Sequence, residues 1–590
     1  MGNICGEVDT DQELPVTFAG RAFRAEDVHH RLKGSGFTST FQTSAMVPDV
    51  AIVCDVQLNR RGELHRAFGS SLEDYELLLL GYERWGIDCA RTLEGEFAFV
   101  IWDKKQNRLA CFRDHLGSRR LYYCLENGHF HFASTPLAIL QNPRVPRRLN
   151  RRKLAAMAVL GGHHEYDEET FYEGICSVPP GTVLTVDRRG ISKHRYWRPE
   201  IRPELVPKKD EEAFEALRQL LTESVENRLE GSVRPVTLLS GGLDSSIVTA
   251  IAARSLAAKG KDLLAFGGVL PTGNNSDLED ERTWIEEFRS TPNLKIEYVS
   301  AAGSGPFDLI DDDRNFEASF QCGSIHFLLR ALEHAACAHG ADVGVTGHGG
   351  EWGLTTRGDG YILELMAGMR IAPAIKTLRE MKSAIGISPL RYLAGEVKRA
   401  MLPLARKRPM LYLAPPFQRE CDVQLVGKRF WPDHRRVQLD SLNSNLRMHA
   451  NLHAYLPGES LRWEFPLFDR RLLEYCLALP GHMKVRHGFP RYLVRKSMET
   501  LVSEKIRWRP GKVVACPDYV ARYEAGIGKA RKFVAAIAPD DPVRGIADVA
   551  KLEMMVALPA APTDRWDCTM GVPITLHLIC FLRQFAEFRA

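Results

Sequence analysis

The 590-residue chain has no paired C-x-x-C spacing. Its thirteen cysteines are an odd number scattered from Cys5 to Cys580, so neither a disulfide framework nor a zinc ribbon is encoded, and a reducing, cytoplasmic setting is expected. Long apolar runs are also missing. The most apolar stretch, Gly571 to Leu582, is too short to span a bilayer and is interrupted by Pro573 and His577. The opening MGNICGEVDTDQELP turns acidic where an export signal needs a basic segment followed by an apolar run, so no membrane or export step is expected. Neither sign of charge is in excess: 78 Lys and Arg against 74 Asp and Glu leave +4. That balance argues against nucleic-acid binding by wholesale phosphate neutralisation. Internal repeats and low-complexity tracts are absent. What remains is a composition of 45% hydrophobic and 26% charged residues, which excludes disordered and fibrous classes, in a chain long enough for two to four domains.

From Val50 to about Trp197 the sequence reads as short β segments between turn residues: Ala51-Ile-Val-Cys, Phe97-Ala-Phe-Val-Ile-Trp, Arg119-Arg-Leu-Tyr-Tyr, His129-Phe-His-Phe and Gly181-Thr-Val-Leu-Thr-Val. One helix is predicted over Asp74 to Trp85, with Leu77, Leu78 and Tyr82 on its apolar face. This half reads as layered α+β. A polar, proline-bearing stretch from Arg198 to Lys209 follows and reads as a linker. Beyond it come a helix from about Asp210 to Leu229, a buried strand from Pro235, a glycine turn, a helix from Ser245 to about Lys259 and a second strand from Leu263. Strand, helix, strand argues for a parallel sheet with right-handed crossovers. Later segments are mostly helical by pattern.

The turn between that strand and helix is Ser240-Gly241-Gly242-Leu243-Asp244-Ser245-Ser246. A Gly-Gly turn lets backbone approach a ligand and aims several N–H groups and the helix's positive end at one spot, which suits an anion. Ser240, Ser245 and Ser246 add hydroxyl donors for phosphate oxygens, and Asp244 offers a hard oxygen ligand to a magnesium ion. A plain strand-to-helix turn with a capping Ser or Asp is the competing reading. There is no G-x-x-x-x-G-K.

SGGLDSS resembles the pyrophosphate loop of the ATP pyrophosphatases, which cleave ATP between the α and β phosphates and form an acyl-adenylate. The rest of the chain resembles asparagine synthetase-like enzymes over nearly its whole length. In the first half the resemblance lies in Gly95-Glu-Phe-Ala-Phe-Val-Ile-Trp-Asp103, Arg113-Asp-His-Leu-Gly-Ser-Arg-Arg-Leu-Tyr-Tyr123 and Phe132-Ala-Ser-Thr-Pro136. In the second half it lies in Thr346-Gly-His-Gly-Gly-Glu351, Phe465-Pro-Leu-Phe-Asp-Arg-Arg-Leu-Leu-Glu474 and Arg491-Tyr-Leu-Val-Arg495. The resemblance implies an α+β, Ntn-type amidotransferase-like sandwich over 1–204. It implies an α/β parallel-sheet ATP pyrophosphatase domain with a helical C-terminal part over 205–590.

The family's glutaminase uses a cysteine that becomes the first residue when the initiator Met is removed, with its own α-amine as base. Here residue 2 is Gly2, and Cys5-Gly6 stands behind Gly-Asn-Ile, so glutaminase activity is not expected unless processing exposes Cys5. Asp74-Tyr-Glu76 keeps the acidic pair of the family's D-x-E segment, but the family's substrate-binding Asn falls near Arg60, a long cation that would crowd a glutamine site. Loss of in-chain ammonia turns the expectation toward relatives that use an amine on the substrate itself: β-lactam synthetases, carbapenam synthetases and lasso-peptide cyclases. Gly347-His-Gly-Gly resembles the lasso cyclases, where a His stands in place of the Tyr base of β-lactam-forming relatives.

The resemblance therefore makes His348 the candidate general base, which suits an imidazole's ordinary pKa near 6.5; a packing or capping histidine is the competing reading. Asp244 and Glu351 are the candidate magnesium ligands, Glu351 where the family usually has Asp, with Asp359 as the alternative. Arg491 takes the place of the family's Lys in K-x-x-L-R, to neutralise charge on the α-phosphate and pyrophosphate. Lys505 and Lys512 lie in a segment similar to the family's R-x-K near the pyrophosphate exit. Leu238 and the stretch around Gly268 would line the adenine pocket, and Gly347 would border it. Arg462-Trp-Glu464 carries the two charges of the family's Glu-x-Arg in reverse order, which preserves an ion pair or changes what faces the substrate.

The implied enzyme is an ATP- and magnesium-dependent ligase that adenylates an Asp or Glu side chain of a precursor peptide and closes a macrolactam with its N-terminal amine. Its implied partners are that peptide, a leader peptidase and a leader-binding protein. The alternatives are an asparagine synthetase using ammonia or glutamine, and a non-catalytic nucleotide-binding or scaffold protein.

Overall fold

A computed structural model of the chain describes residues 4–9, 17–18, 21–22, 42–44, 47–59, 61–69, 72–157, 168–272, 278–311, 316, 320, 325–401, 411–421, 433–449, 461–511, 515–558 and 566–588. The first half builds two antiparallel six-stranded sheets. One has the order β10-β8-β9-β1-β2-β3, with β1 Cys5–Asp9, β2 Thr17–Phe18, β3 Arg21–Ala22, β8 Tyr122–Glu126, β9 His129–Ala133 and β10 Ile175–Ser177. The other has the order β12-β11-β7-β6-β5-β4, with β4 Gln42–Ser44, β5 Val47–Leu58, β6 Gly95–Asp103, β7 Arg108–Arg113, β11 Thr182–Asp187 and β12 Gly190–Arg195.

The period of two along β6 explains the layering. Phe97, Phe99 and Ile101 pack with Leu77, Leu78 and Tyr82 of the Asp74–Trp85 helix. Ala98 and Val100 pack the other way, with Phe130 and Phe132 of β9. Both faces of this sheet are covered, so its central strands are apolar throughout rather than alternating. The strand expected from Arg119 begins instead at Tyr122. The residues before it form a turn in which Asp114 accepts backbone N–H bonds from Leu116, Ser118 and Arg119 at 2.9–3.0 Å.

The second half carries five parallel strands in the order β15-β14-β13-β16-β17: β13 Pro235–Leu238, β14 Leu263–Gly268, β15 Leu294–Val299, β16 Val343–Val345 and β17 Arg462–Glu464. The chain runs outward from β13 through β14 to β15, then returns to the other side of β13 for β16 and β17. The order therefore reverses between β13 and β16, and the crevice beyond the carboxyl ends of strands at such a switch point is where open parallel sheets bind ligands. The helices Asp210–Leu229 and Leu243–Ala257 start and stop at or within two residues of the positions read from sequence.

The two halves meet through charge. Arg119 of the first half, only 7% exposed, lies 3.7 Å from Asp55, 3.5 Å from Glu96 and 3.8 Å from Glu464 on β17. Arg228 reaches Glu96 at 3.5 Å and Asp469 at 3.4 Å, and Arg470 reaches Glu94 at 2.9 Å. Among the described residues no helix is long and apolar enough to cross a membrane, and the described cysteines, Cys54 to Cys580, form no disulfide with one another.

Burial pushes the Glu464 carboxyl up to about 7; the Glu96 charge pushes the same way while Arg119, Arg228 and Arg462 oppose it. An acid raised in this way favours its protonated form in the folded chain, so its contribution to stability falls as pH rises from 4.5 through about 7. Thermal denaturation of Glu464→Gln across that window should show a flatter pH dependence than the parent chain. Two parallel curves would place the titration elsewhere.

Candidate nucleotide site and its loops

The Ser240–Ser246 loop is closed on itself. Ser240 donates its backbone N–H to Ser245 Oγ at 3.2 Å, the two hydroxyls lie 3.0 Å apart, and Ser245 Oγ donates to the Gly242 carbonyl at 3.2 Å. The helix begins at Leu243, so Asp244 sits in its first turn, where the unsatisfied N–H groups and the positive end of the helix lie.

The loop after the neighbouring strand β16 closes against it. A Cβ on Gly347 would lie 2.4 Å from the Ser245 nitrogen and 2.6 Å from the Asp244 carbonyl carbon, so only glycine admits the two loops to this contact. Thr346 donates its N–H to the Glu464 carbonyl at 3.1 Å, and its hydroxyl accepts the His348 N–H at 2.9 Å. The His348 ring stands edge-on to Trp352 at 5.0 Å and to Phe465 at 5.9 Å between centroids.

Arg491, Arg495 and Arg509 line the same cavity as these loops. Arg491 caps the Tyr492–Ser497 helix with φ +63°, a left-handed conformation costly for a residue with a Cβ and typical of functional sites. Arg495 is 5% exposed and donates to the Pro490 carbonyl at 2.9 Å and to the carbonyl of Arg507. Burial lowers its guanidinium to about 10, the Arg491 charge adds to that fall and Asp244 offsets it. Arg509 donates to the Gly241 carbonyl at 3.3 Å, pairs with buried Glu281 at 3.4 Å and lies over the Trp284 ring at 3.9 Å.

One cavity of about 620 Å³ joins these parts, within the size range of small-molecule sites. Of the residues predicted from sequence, Leu238, Ser240, Gly242, Asp244, Ser245, Gly268, Gly347, His348, Glu351, Asp359 and Arg491 border it. Gly241 and Ser246 stand behind the wall: the Gly241 carbonyl is held by Arg509, and Ser246 is fully buried with its N–H on the Gly242 carbonyl at 3.0 Å. Lys505 is not in the wall; it is half exposed, paired with Glu287 at 2.8 Å and 5.5 Å from the Trp284 ring. Lys512, Gly2 and Arg60 lie outside the described residues. In the first half, Cys5 opens β1 opposite Ala133, and Glu76 accepts the Glu73 N–H at 3.0 Å as part of a capping box at the start of its helix.

Sequence reading missed Arg357, Arg495 and Arg509 as working groups, although all three stood in motif segments, and missed Glu281 altogether. It also missed an apolar wall of Met381, Ile385, Ile387 and Tyr392. The carboxylates of Asp244, Glu351 and Asp359 on one cavity are the hard oxygen donors that magnesium takes, and the loop amides with Arg491 and Arg495 suit the phosphates it would bridge. The three carboxylates share the cavity wall, but among the described residues the donors that lie within 4.8 Å of one another are those of Glu364, Asp433 and His434.

A parallel sheet with a closed serine-glycine loop at its switch point is joined to an antiparallel sandwich, a two-part α/β architecture. The asparagine synthase family matches residues 216–578, more than half of the chain, and the glutamine amidotransferase domain family matches residues 56–197. The chain belongs to the asparagine synthase family. Its fold is an N-terminal Ntn-type amidotransferase-like sandwich followed by an α/β parallel-sheet domain. It is similar to an asparagine synthetase (glutamine-hydrolyzing) 3 of Bacillus subtilis strain 168, 37% identical over 38% of this chain and 38% of that one. It is also similar to an amidase, chry2, of Gibberella zeae, at 30% over 30% of this chain and 26% of that one. A carboxyethyl-arginine beta-lactam-synthase of Streptomyces clavuligerus matches at 29% over 37% of this chain and 38% of that one. The chain thus matches well under half the length of these relatives.

Gly347→Ala should overpack the contact between the two loops by roughly 1–3 kcal/mol and displace the phosphate loop. A lowered Tm together with weakened binding of a fluorescent ATP analogue is the expected result. An unchanged Tm and affinity would mean the loops do not meet in solution.

Proposed function

We propose that this protein is an ATP- and magnesium-dependent amide-forming ligase of the macrolactam-closing type. It activates an Asp or Glu side-chain carboxylate of a precursor peptide and joins it to the peptide's N-terminal amine. The observation that carries this reading is that His348 borders the same cavity as the Asp244 loop, one glycine away from the contact that fixes both. The substrate carboxylate oxygen attacks the α-phosphorus of ATP and pyrophosphate leaves toward the Ser240–Ser245 loop. The amine nitrogen then attacks the activated carbonyl carbon, AMP leaves, and His348 accepts the amine's proton. Arg491 and Arg495 neutralise charge growing on the phosphates. Magnesium, held by Asp244 and Glu351 or Asp359, would supply charge neutralisation between phosphate oxygens. Holding both ends of one peptide makes closure effectively unimolecular. A leader peptidase and a leader-binding protein are the proposed partners.

The similarity to asparagine synthetases favours a second reading, asparagine from aspartate and ammonia. Incubation with ATP, magnesium and the peptide encoded beside its gene separates the two. AMP formation with loss of one water from the peptide by mass spectrometry supports cyclisation, while AMP formation with asparagine as product supports the second reading. Asp244→Ala should abolish AMP formation in either case. His348→Ala should lower kcat by roughly 10²–10⁴ while leaving ATP-analogue affinity unchanged; full activity in that variant removes His348 as base.

A further inference from the structure

Apart from the Ser240–Ser246 loop and the arginines, the cavity has a stretch of wall with a character of its own. Met381 and Ile385 are four residues apart on the Ile371–Ile385 helix and so share one face. With Ile387 just beyond the helix and Tyr392 on the Pro389–Met401 helix, they border the same space as His348, Asp359 and Arg491. The charged residues of that helix, Lys376, Arg379, Glu380 and Lys382, take no part in the wall.

These four side chains belong to a small core of their own, built on Tyr361, Ile362, Leu365, Ala374 and Val485. Met381 is buried in it, while Ile385, Ile387 and Tyr392 pack at its edge and are only half buried. Apolar edges left open beside a catalytic loop are a recognition surface in waiting. The wall is also fixed relative to the chemistry. A Cβ on Gly488 would lie 2.2 Å from the Glu380 carbonyl oxygen, so the hairpin of Val485–Arg486 and Phe489–Pro490 is seated on the helix, and that hairpin leads directly into Arg491.

We infer that Met381, Ile385, Ile387 and Tyr392 form a binding site for an aliphatic or aromatic side chain flanking the carboxylate to be activated. The acid substrate is then an Asp- or Glu-bearing peptide with apolar neighbours, not a free dicarboxylic amino acid. This rests on the reading of the cavity as an adenylation site. These four side chains carry no charge to meet the ammonium of a free aspartate placed against them, where an unpaired charge is costly, although Arg357, Asp359 and Arg491 line the same cavity. An apolar side chain gains by leaving water at the same place.

The test uses acetylated pentapeptides with a single central Asp flanked by Leu or Phe, the same peptides flanked by Ser, and free L-aspartate. ATP, magnesium and hydroxylamine as the attacking amine are supplied, and hydroxamate and pyrophosphate are measured. The expected result is a kcat/KM roughly tenfold to a hundredfold higher for the Leu and Phe peptides than for the Ser peptides. Ile385→Asp and the milder Tyr392→Ala should remove most of that preference through KM, with ATP-analogue affinity unchanged. Equal rates for Leu- and Ser-flanked peptides, or a preference for free aspartate, would overturn the inference while leaving the ligase reading in place. No pyrophosphate from any of the acids would overturn both.

Discussion

The approach of Gly347 to Ser245 is the constraint on which the site depends. β13 and β16 are neighbours in register, Pro235 beside Val343 and Thr237 beside Val345, so the loops that follow them leave adjacent strand ends together. With no side chain between them, they settle into backbone contact, and the Ser240–Ser246 loop comes to lie against the loop that carries His348. A side chain on either loop would then be placed by the sheet rather than by its own flexibility. Fixed donors cost no reorganisation when charge develops, which is the usual source of electrostatic catalysis.

That placement extends to the other half of the molecule. The carbonyl of Glu464 holds the Thr346 N–H, and the Thr346 hydroxyl holds the His348 N–H. The carboxylate of the same Glu464 faces Arg119, across from the first sandwich, and Arg462 at 3.0 Å. The reversed Arg462–Glu464 order is thereby given a meaning. The ion pair is kept, and its acidic member is 1% exposed, turned to the junction between the two halves and absent from the cavity wall. The sandwich contributes Arg119, Asp55 and Glu96 to the footing of β17.

How much of this was legible in the sequence follows from how local each feature is. The seven-residue loop is contiguous, so the strand-to-helix turn that borders the cavity could be read directly, as could helices with a clear 3.6-residue period. β16 and β17, three residues each, carry too little pattern to stand out, yet one of them positions His348. Met381 and Ile385 look like the core face of any amphipathic helix, and Ile387 and Tyr392 follow them in a connection and a second helix; only the fold shows that the four open on one cavity. In the segment from Lys505 to Lys512 the motif offered several cations. Burial selected Arg509, whose planar guanidinium stacks on Trp284 while serving two acceptors, and left the more strongly hydrated Lys505 ammonium at the surface with Glu287.

The arginines around the cavity divide by what they are bonded to. Arg509 has a carboxylate partner in Glu281, so its charge is largely cancelled and its work is to hold the Gly241 carbonyl and shape the loop. Arg495 is held by carbonyls of Pro490 and Arg507, which orient a guanidinium without neutralising it. Its lowered pKa has the same origin, since burial and the Arg491 charge outweigh the single opposing carboxylate of Asp244. A buried cation in that condition is stabilised by an anion brought to it, and phosphate oxygens would also separate it electrostatically from Arg491. Uncancelled positive charge on Arg495 and paired charge on Arg509 thus border one cavity with the Ser240–Ser246 loop, and the uncancelled charge is what an incoming anion would meet.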